Sequence, residues 1–234
     1  MVRRKRDAAG RRRAGMTLVE VVVALAILGV LTAIAVPNIA EWSRHQRLKD
    51  GARSVGDLLL LARTEAIRTG RRQVVFFGRP GSTDPAGNPV EANGEWVPVL
   101  VLDDGAPAAS NCVIEAGEEV EGLRAVDGLS WGVTEATAKV PTDAGAGAFA
   151  PTPWDGGTFA DAGGNPVTWL MFGADGLPVT FDGSGSVCGA LSPSGGGGGA
   201  LYLTDGERDY AIVLSPIGGV RVHLWNPSTG AWSS

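Results

Sequence analysis

The spacing of the hydrophobic residues changes along this 234-residue chain, from a continuous apolar run to a helical period. Residues 21–40 contain no charged side chain, and twenty helical residues at about 1.5 Å each span roughly 30 Å, the thickness of a bilayer's hydrocarbon core. After Pro37 the apolar residues recur at alternating four- and three-residue steps, which is one face of an amphipathic helix: Leu48, Ala52, Val55, Leu59, Ala62 and Ala66. The pattern predicts one helix from about residue 17 to about residue 69, capped by Gly70.

Beyond residue 72 the pattern changes to short β-branched and aromatic runs separated by glycine and proline turns. Pro98 cannot donate a ladder hydrogen bond, so it places the second of these runs at a sheet edge or a bulge. The last three runs follow one another through tight turns and predict consecutive antiparallel strands. The predicted strands are Gln73–Phe77, Trp96–Leu102, one within Leu123–Val133, Val167–Phe172, Leu177–Phe181, Leu201–Leu203, Tyr210–Leu214 and Val220–Trp225.

Two further segments are rich in small, turn-forming residues. Residues 141–166 predict an extended surface loop, and Gly195–Gly199 predicts a flexible low-complexity loop. The sequence therefore predicts an α+β fold, in which a long N-terminal helix, apolar in its first half and amphipathic in its second, packs on an antiparallel β-sheet head domain.

A carboxylate lies at the start of the apolar segment. The run Gly15 to Glu20 reads Gly-Met-Thr-Leu-Val-Glu, and the fifteen residues that end at Gly15 hold seven basic side chains and the single acid Asp7. On insertion scales an acid costs roughly 2.5–3.5 kcal/mol at the centre of a membrane helix and less near its end. We therefore expect Glu20 to have a partner and to be functional.

This stretch resembles the processing and assembly signal of type IV pilins and type II secretion pseudopilins. The resemblance implies that a prepilin peptidase cleaves between Gly15 and Met16 and that the new amino terminus, Met16, is methylated. It further implies that Glu20 pairs with the terminal amine of a neighbouring subunit. The residues that would pack in the membrane or the filament are Leu18, Val21, Leu25, Leu28 and Pro37. Met16 departs from the family, whose mature chains usually begin with phenylalanine.

The resemblance also divides the chain. Residues 1–15 would be a cleaved leader, 16–40 a transmembrane and assembly helix, 41–72 its amphipathic continuation, and 73–234 a periplasmic β-rich head domain. The leader's positive charge should stay in the cytoplasm. This places a single-pass protein in the inner membrane with its head in the periplasm, from which it would enter a filament.

The C-terminal part is similar to the H-type pseudopilin and FimT minor-pilin subgroup. The similarity rests on the Phe172–Gly176 turn and on the hairpin from Ser215 to Arg221. It implies a minor pseudopilin of a type II secretion system, a structural subunit of a filament that exports proteins, with a minor pilin of a type IV pilus as the alternative. The implied partners are other pseudopilins or minor pilins and the prepilin peptidase.

Other signals fit parts of the same N-terminal sequence. A secretory signal could be removed after Ala35, Arg12 and Arg13 weakly resemble a twin-arginine signal, and an uncleaved anchor is a third possibility. Glu20 argues against both export signals, because a signal core rarely contains a carboxylate. A membrane-anchored periplasmic enzyme is the alternative from another functional class.

Charge and composition bear on partners. Residues 73–234 hold five basic and nineteen acidic side chains. FimT-type pilins can bind DNA through arginines in a glycine-led C-terminal motif, but here Gly219-Val220-Arg221 has valine where an arginine would help. Because phosphate binding needs clustered cations, we expect no nucleic acid partner.

Candidate chemistry beyond the N-terminal motif is weak. Cys112 and Cys188 could form a disulfide in an oxidising compartment or remain two separate buried thiols. Asp205, Glu207 and Asp209 have a calcium-like spacing, but a solvated turn fits better, because an EF-hand would need an acid where Pro216 stands. His45 and His223 are isolated, and we expect neither a metal nor a cofactor.

A hydrolase-like pattern is also present. Residues 128–132 read Gly-Leu-Ser-Trp-Gly, and Asp175 and His223 follow in the order of a nucleophile-elbow triad. The elbow requires a helix directly after the serine, and Val133–Thr142 has no helical periodicity. The sequence therefore predicts a protein that is not an enzyme.

Overall fold

The computed structural model describes residues 16–105, 110–118, 120–123, 130–150, 154–183 and 188–233, except for the side chains of 34–38 and 40. The leader with Gly15, the side chain of Pro37, and Gly128 and Leu129 of the elbow lie outside this part. The chain divides into two compact units, Met1–Ser43 and Arg44–Ser234. Helix α1, Leu18–Thr69, supplies residues to both units.

Within the second unit, the helix uses the face that its periodicity predicts. The six residues of that face, Leu48, Ala52, Val55, Leu59, Ala62 and Ala66, are buried, none with more than 2% of its surface exposed. The helix ends where Gly70 takes a left-handed φ of 67° and its N–H bonds to the carbonyl of Ala66, which is a common glycine cap. The predicted helix and its cap are confirmed.

Among the described residues, two five-stranded sheets and one two-stranded sheet follow the helix, and every strand pair is antiparallel. The first sheet has the order β5-β4-β1-β7-β8, and the second has the order β12-β11-β10-β9-β6. The strands are β1 Arg72–Phe77, β2 Glu91–Ala92, β3 Glu95–Trp96, β4 Val99–Asp104, β5 Val120–Leu123, β6 Ser130–Trp131, β7 Trp169–Phe172, β8 Pro178–Val179, β9 Gly199–Thr204, β10 Asp209–Leu214, β11 Val220–Asn226 and β12 Ala231–Ser233.

Buried residues lie on both faces of each main sheet. In β1, Val75 and Phe77 join the helix in the central core, whereas Val74 and Phe76 belong to a second cluster on the opposite face. In the second sheet, Tyr202 belongs to a third cluster that also contains Val140 and Trp154 of the irregular segment before it. The fold is α+β, with a helix and antiparallel sheets, and the described residues form two main sheets.

Pro98 does not mark an edge strand. The predicted strand Trp96–Leu102 is divided, with β3 ending before Pro98 and β4 beginning after it. Strand β4 lies between β5 and β1, so it is an interior strand. Pro98 is tolerated because it stands outside the ladder and only its carbonyl is used, as acceptor for the N–H of Gly78.

Residues 141–166 are irregular and exposed at many positions, as a surface loop would be, but part of the segment is buried. Within their described part, Trp154 has 8% of its surface exposed and Phe159 none, and each contacts an aromatic ring of another segment. Gly195–Gly199 is not an exposed loop, because Gly197 and Gly199 are buried and β9 begins at Gly199. Both segments are irregular in backbone but packed against sheet residues.

Candidate functional site

The first turn of α1 places Glu20 in a capping box. Thr17 is the N-cap, and its carbonyl accepts the first helical hydrogen bond from the N–H of Val21. The Thr17 hydroxyl accepts the N–H of Glu20 at 3.3 Å, and Oε2 of Glu20 accepts the N–H of Thr17 at 3.3 Å. These reciprocal bonds satisfy donors that would otherwise be unpaired at a helix start.

The capping box fixes the position of a charge at the end of an apolar surface. The side chains of Leu18, Val21, Leu25 and Leu28 are 81%, 38%, 61% and 59% exposed. Large contiguous apolar surfaces on a protein mark contacts with other proteins or with a membrane. In the described part of this segment, Glu20 is the only charged side chain from Met16 to Ala33.

Among the helical residues that the structure describes, no stretch is both long enough and apolar enough to cross a bilayer. The membrane segment at residues 16–40 stays a prediction.

The hydrolase-like residues do not come together. Ser130 lies on β6 and His223 on β11, at positions separated by β9 and β10, so about 14 Å of sheet lies between their strands. Asp175 caps its own turn, where its Oδ1 accepts the N–H of Leu177 at 3.0 Å. His223 is buried, and both its burial and the charge of Arg221 lower its pKa. These three side chains do not form a triad.

The three acids near residue 207 have separate partners. Asp209 is fully buried, and its carboxylate accepts the N–H groups of Thr134, Glu135 and Ala136, at 2.6–2.9 Å. Oε1 of Glu207 lies 3.1 Å from Nη2 of Arg44. The expectation of a solvated turn is therefore wrong for Asp209, which holds a distant segment against β10.

Asp205 closes the β9–β10 turn and also contacts the helix. It accepts the N–H groups of Glu207 and Arg208, and its Oδ2 lies 3.4 Å from Nδ1 of His45. Although burial opposes the effect, these N–H donors and His45 lower the pKa of Asp205. His45 therefore links helix α1 to the β9–β10 turn.

Cys112 and Cys188 form a disulfide, with 5.1 Å between their Cα atoms. Their sulfurs and a carboxylate oxygen of Asp104 lie close enough together for metal ligands. Bonded sulfurs are not thiolates, however, and thiolate is the form that binds a metal.

Arg221, the arginine of the Gly219-Val220-Arg221 stretch, is exposed on β11, within the acidic head.

Comparison with known proteins bears on the N-terminal segment. The family model described as the prokaryotic N-terminal methylation motif matches residues 10–36. No curated protein and no solved structure matches the chain. The motif supports a type IV pilin-like or pseudopilin protein in the broad sense. It implies a membrane-anchored filament subunit that a prepilin peptidase processes and that assembles with other pilins.

Three residues important to this arrangement were missed by sequence reasoning. Thr17 had a readable signal, because threonine followed three residues later by glutamate is the capping-box pattern. Asp104 and Arg63 had none. The N–H groups that Asp104 accepts are close in sequence, at Asn111 and Cys112, but no pattern indicates the contact, and Arg63 bonds to carbonyls 113 and 155 residues away.

Proposed function

We propose that this protein is a minor pseudopilin of a type II secretion system, a structural subunit of a periplasmic filament that exports proteins. It would be stored in the inner membrane through residues 16–40, cleaved after Gly15, methylated at Met16 and then extracted into the filament. The observation that carries the proposal is Glu20, a single acid at a fixed position on an otherwise apolar and exposed helix surface that begins inside a processing motif.

Charge pairing would explain why the acid is kept. In an apolar environment Glu20 needs a cation, and the amine released at Met16 by cleavage supplies one on every processed subunit. Pairing between neighbours would select subunits that have been processed and would fix their axial register. The hydrogen bonds to Thr17 would hold the carboxylate at the helix start before a neighbour arrives.

The assembly role predicts a specific effect of Glu20→Gln. The amide keeps the size and the acceptor oxygen of the side chain but removes the charge. Membrane insertion and cleavage after Gly15 should therefore remain, while crosslinking to other pseudopilins in intact cells should be lost. Glu91→Gln, which changes an exposed carboxylate of the head, is the matched control and should crosslink as wild type does. Wild-type crosslinking of Glu20→Gln would contradict the assembly role.

The type II assignment needs a separate test, because a minor pilin of a type IV pilus would contain the same N-terminal features. Affinity purification of the tagged full-length protein should recover other pseudopilins. Recovery of pilus subunits with a retraction ATPase would overturn the type II assignment and leave the filament role intact.

We also propose that the protein has no catalytic activity. The separate positions of Ser130, Asp175 and His223 support this. A membrane-anchored enzyme would keep its activity in Glu20→Gln, so a hydrolytic activity of the purified chain that survives this change would favour the enzyme over the filament subunit.

A further inference from the structure

Asp104 lies beside the Cys112–Cys188 disulfide, whose cysteines pack in the second cluster of the first sheet. A carboxylate oxygen of Asp104 and the sulfurs of Cys112 and Cys188 lie within 4.8 Å of one another. Asp104 ends β4, and its Cα pairs with that of Arg72 across the ladder to β1. A carboxylate and a cation therefore both lie next to the two sulfurs.

The carboxylate of Asp104 is fully buried and incompletely bonded. Its Oδ1 accepts the N–H groups of Asn111 at 2.9 Å and of Cys112 at 3.1 Å. Among the described residues, its Oδ2 has no hydrogen-bond partner. A buried carboxylate oxygen without a donor is costly, and a proton on that oxygen would remove the cost.

The electrostatic surroundings also favour a proton on Asp104. Burial raises the pKa of Asp104, and the charge of Glu115 adds to the effect, against the two N–H donors and Arg72, which lower it. Glu118, another nearby acid, also has a raised pKa because of burial. A proton can therefore be held at Asp104 closer to neutral pH than on an ordinary aspartate.

The two sulfurs have different environments. Cys112 is fully buried and packs near Met171, in an apolar cluster. Cys188 is half-buried, and Nη1 of Arg72 lies 3.4 Å from its sulfur. In the reduced protein the guanidinium would favour the thiolate of Cys188, whereas the apolar surroundings would keep Cys112 as a thiol.

We propose that Cys112 and Cys188 are a thiol–disulfide exchange site in which Cys188 reacts with the external disulfide and Asp104 takes the proton from Cys112. The Cys188 thiolate attacks a disulfide RS–SR, forms Cys188–S–S–R and releases one thiolate, RS⁻. The Cys112 thiol then loses its proton to Asp104 and attacks the sulfur of Cys188, which releases the second RS⁻. The two cysteines lose two electrons, and RS–SR gains them as two RS⁻ groups, which become thiols by taking up the proton from Asp104 and one proton from solvent.

The partner is therefore a disulfide that can reach Cys188, either a small molecule or the active site of an oxidoreductase in the outer compartment. Cys112 is closed to such a partner because it has no exposed surface. Asp104 acts only in the second step. The attacking group of that step is the Cys112 thiol, which still holds its proton and must lose it to become a nucleophile.

Oxidised glutathione tests this assignment in the full-length protein in detergent. The protein is reduced, mixed with oxidised glutathione, stopped by alkylation at intervals and mapped by peptide mass spectrometry. In wild type, glutathione should appear briefly on Cys188 before the internal disulfide closes. In Asp104→Asn the mixed disulfide should accumulate, because closure slows by about tenfold or more, as loss of a local base predicts.

Two controls separate proton transfer from a loss of structure. Asp103→Asn changes the neighbouring carboxylate, which pairs with Arg71 and accepts from Gln73 at 2.9 Å, and should close at the wild-type rate. In concentrated urea, where Asp104 no longer stands beside the sulfurs, Asp104→Asn and wild type should close equally fast. A variant that is slow in urea as well would overturn the proposal.

A second variant covers the first step. Arg72→Gln removes the cation beside Cys188 and should slow glutathione attachment while leaving closure unchanged. The proposal is overturned if glutathione attaches to Cys112, if folded Asp104→Asn closes as fast as wild type, or if Arg72→Gln reacts as fast as wild type in the first step.

Discussion

Arg63 connects the helix to one turn of each main sheet. Its Nε donates to the carbonyl of Gly176 at 3.1 Å, in the β7–β8 turn, and its Nη1 donates to the carbonyl of Gly218 at 3.0 Å, in the β10–β11 turn. Both glycines have left-handed φ angles, of 71° and 81°. A Cβ on Gly218 would lie 2.8 Å from Nε of Arg63, so glycine allows the close approach of the guanidinium.

We therefore expect Arg63→Met to lower the free energy of unfolding by roughly 2–3 kcal/mol, since two partly buried, charge-assisted hydrogen bonds are lost while the apolar stem is kept. Urea unfolding of the full-length protein in detergent, followed by tryptophan fluorescence, measures this. Arg68→Met removes a pair with Glu65 at an arginine that is largely exposed, and it should stay within about 0.5 kcal/mol of wild type. Equal effects of the two changes would contradict the role of Arg63.

His223 should make stability fall as the pH falls. Its folded pKa lies below the ordinary value of 6.5 because of burial and Arg221, so the unfolded chain binds a proton that the folded chain resists. Stability is therefore lost as the pH falls from above 6.5 towards the lower folded pKa. In His223→Gln this loss should be absent, and the difference between the two unfolding curves isolates it. Parallel curves for variant and wild type from about pH 7 to about pH 5 would show that the prediction is wrong.

Single residues could be predicted from sequence only where the signal was local. Glu20 is a candidate because a charge stands out against twenty uncharged neighbours, and its role in assembly stays a prediction. Thr17 could have been found from its spacing to Glu20. The sequence indicates a solvated turn for Asp209, because nothing near it in sequence indicates the three N–H donors of residues 134–136. A carboxylate's partners are set by the fold when they lie 73 or more residues away.

At the scale of elements, the glycine turn before β9 is built by close packing. A Cβ on Gly197 would lie 2.5 Å from the backbone nitrogen of Val179, and one on Gly199 would lie 2.8 Å from the ring of Phe159. The N–H of Gly197 also donates to the carbonyl of Pro178 at 3.1 Å. The run of glycines therefore serves contact between β9, β8 and Phe159 rather than flexibility.

Gly197→Ala should accordingly lower the free energy of unfolding by at least about 2 kcal/mol, because the methyl group meets backbone atoms that cannot move aside. Gly87→Ala is the matched control. Gly87 has a left-handed φ of 89°, but nothing lies within 4 Å of its Cβ position, so only about 1 kcal/mol for the backbone conformation is expected. If Gly197→Ala costs no more than Gly87→Ala in urea unfolding, the turn is not closely packed.

Regular elements were predicted well and irregular ones poorly, for a physical reason. The buried face of α1 repeats turn after turn from Leu48 to Ala66, so the periodicity is visible without any knowledge of the sheet. Residues 141–166 have no period, and the burial of Trp154 and Phe159 depends on Tyr202 and Phe77, which are distant in sequence. Composition alone indicated a loop, and it could not show that the loop covers a sheet.

Two loops with the same sequence spacing differ in their partners, which the sequence does not show. Asp84 and Asn88 close one loop, and Asp161 and Asn165 close another with the same sequence spacing and a left-handed glycine before the asparagine. In each loop the aspartate accepts the N–H and the side-chain amide of the asparagine. Asp84 also accepts the N–H of Ile114 at 2.7 Å, so one copy is tied to another segment and the other stands at the surface.

The whole molecule combines an apolar N-terminal helix surface with an acidic, disulfide-bonded head. The head contains both main sheets, the second and third buried clusters that pack on them, and the exchange site proposed for Cys188. The N-terminal unit contains the features that the filament role requires, namely the methylation motif, the exposed apolar side chains and Glu20. Processing at Gly15 is the step that would convert a membrane-stored protein into a subunit with a free amine for its neighbour.

Mass spectrometry of the N-terminal peptide of the protein isolated from membranes tests this conversion most directly. The filament role predicts a chain that begins at Met16 with a methylated α-amine. A chain that still begins with its arginine-rich leader, or one that begins at Val36 after removal of a secretory signal, would contradict it.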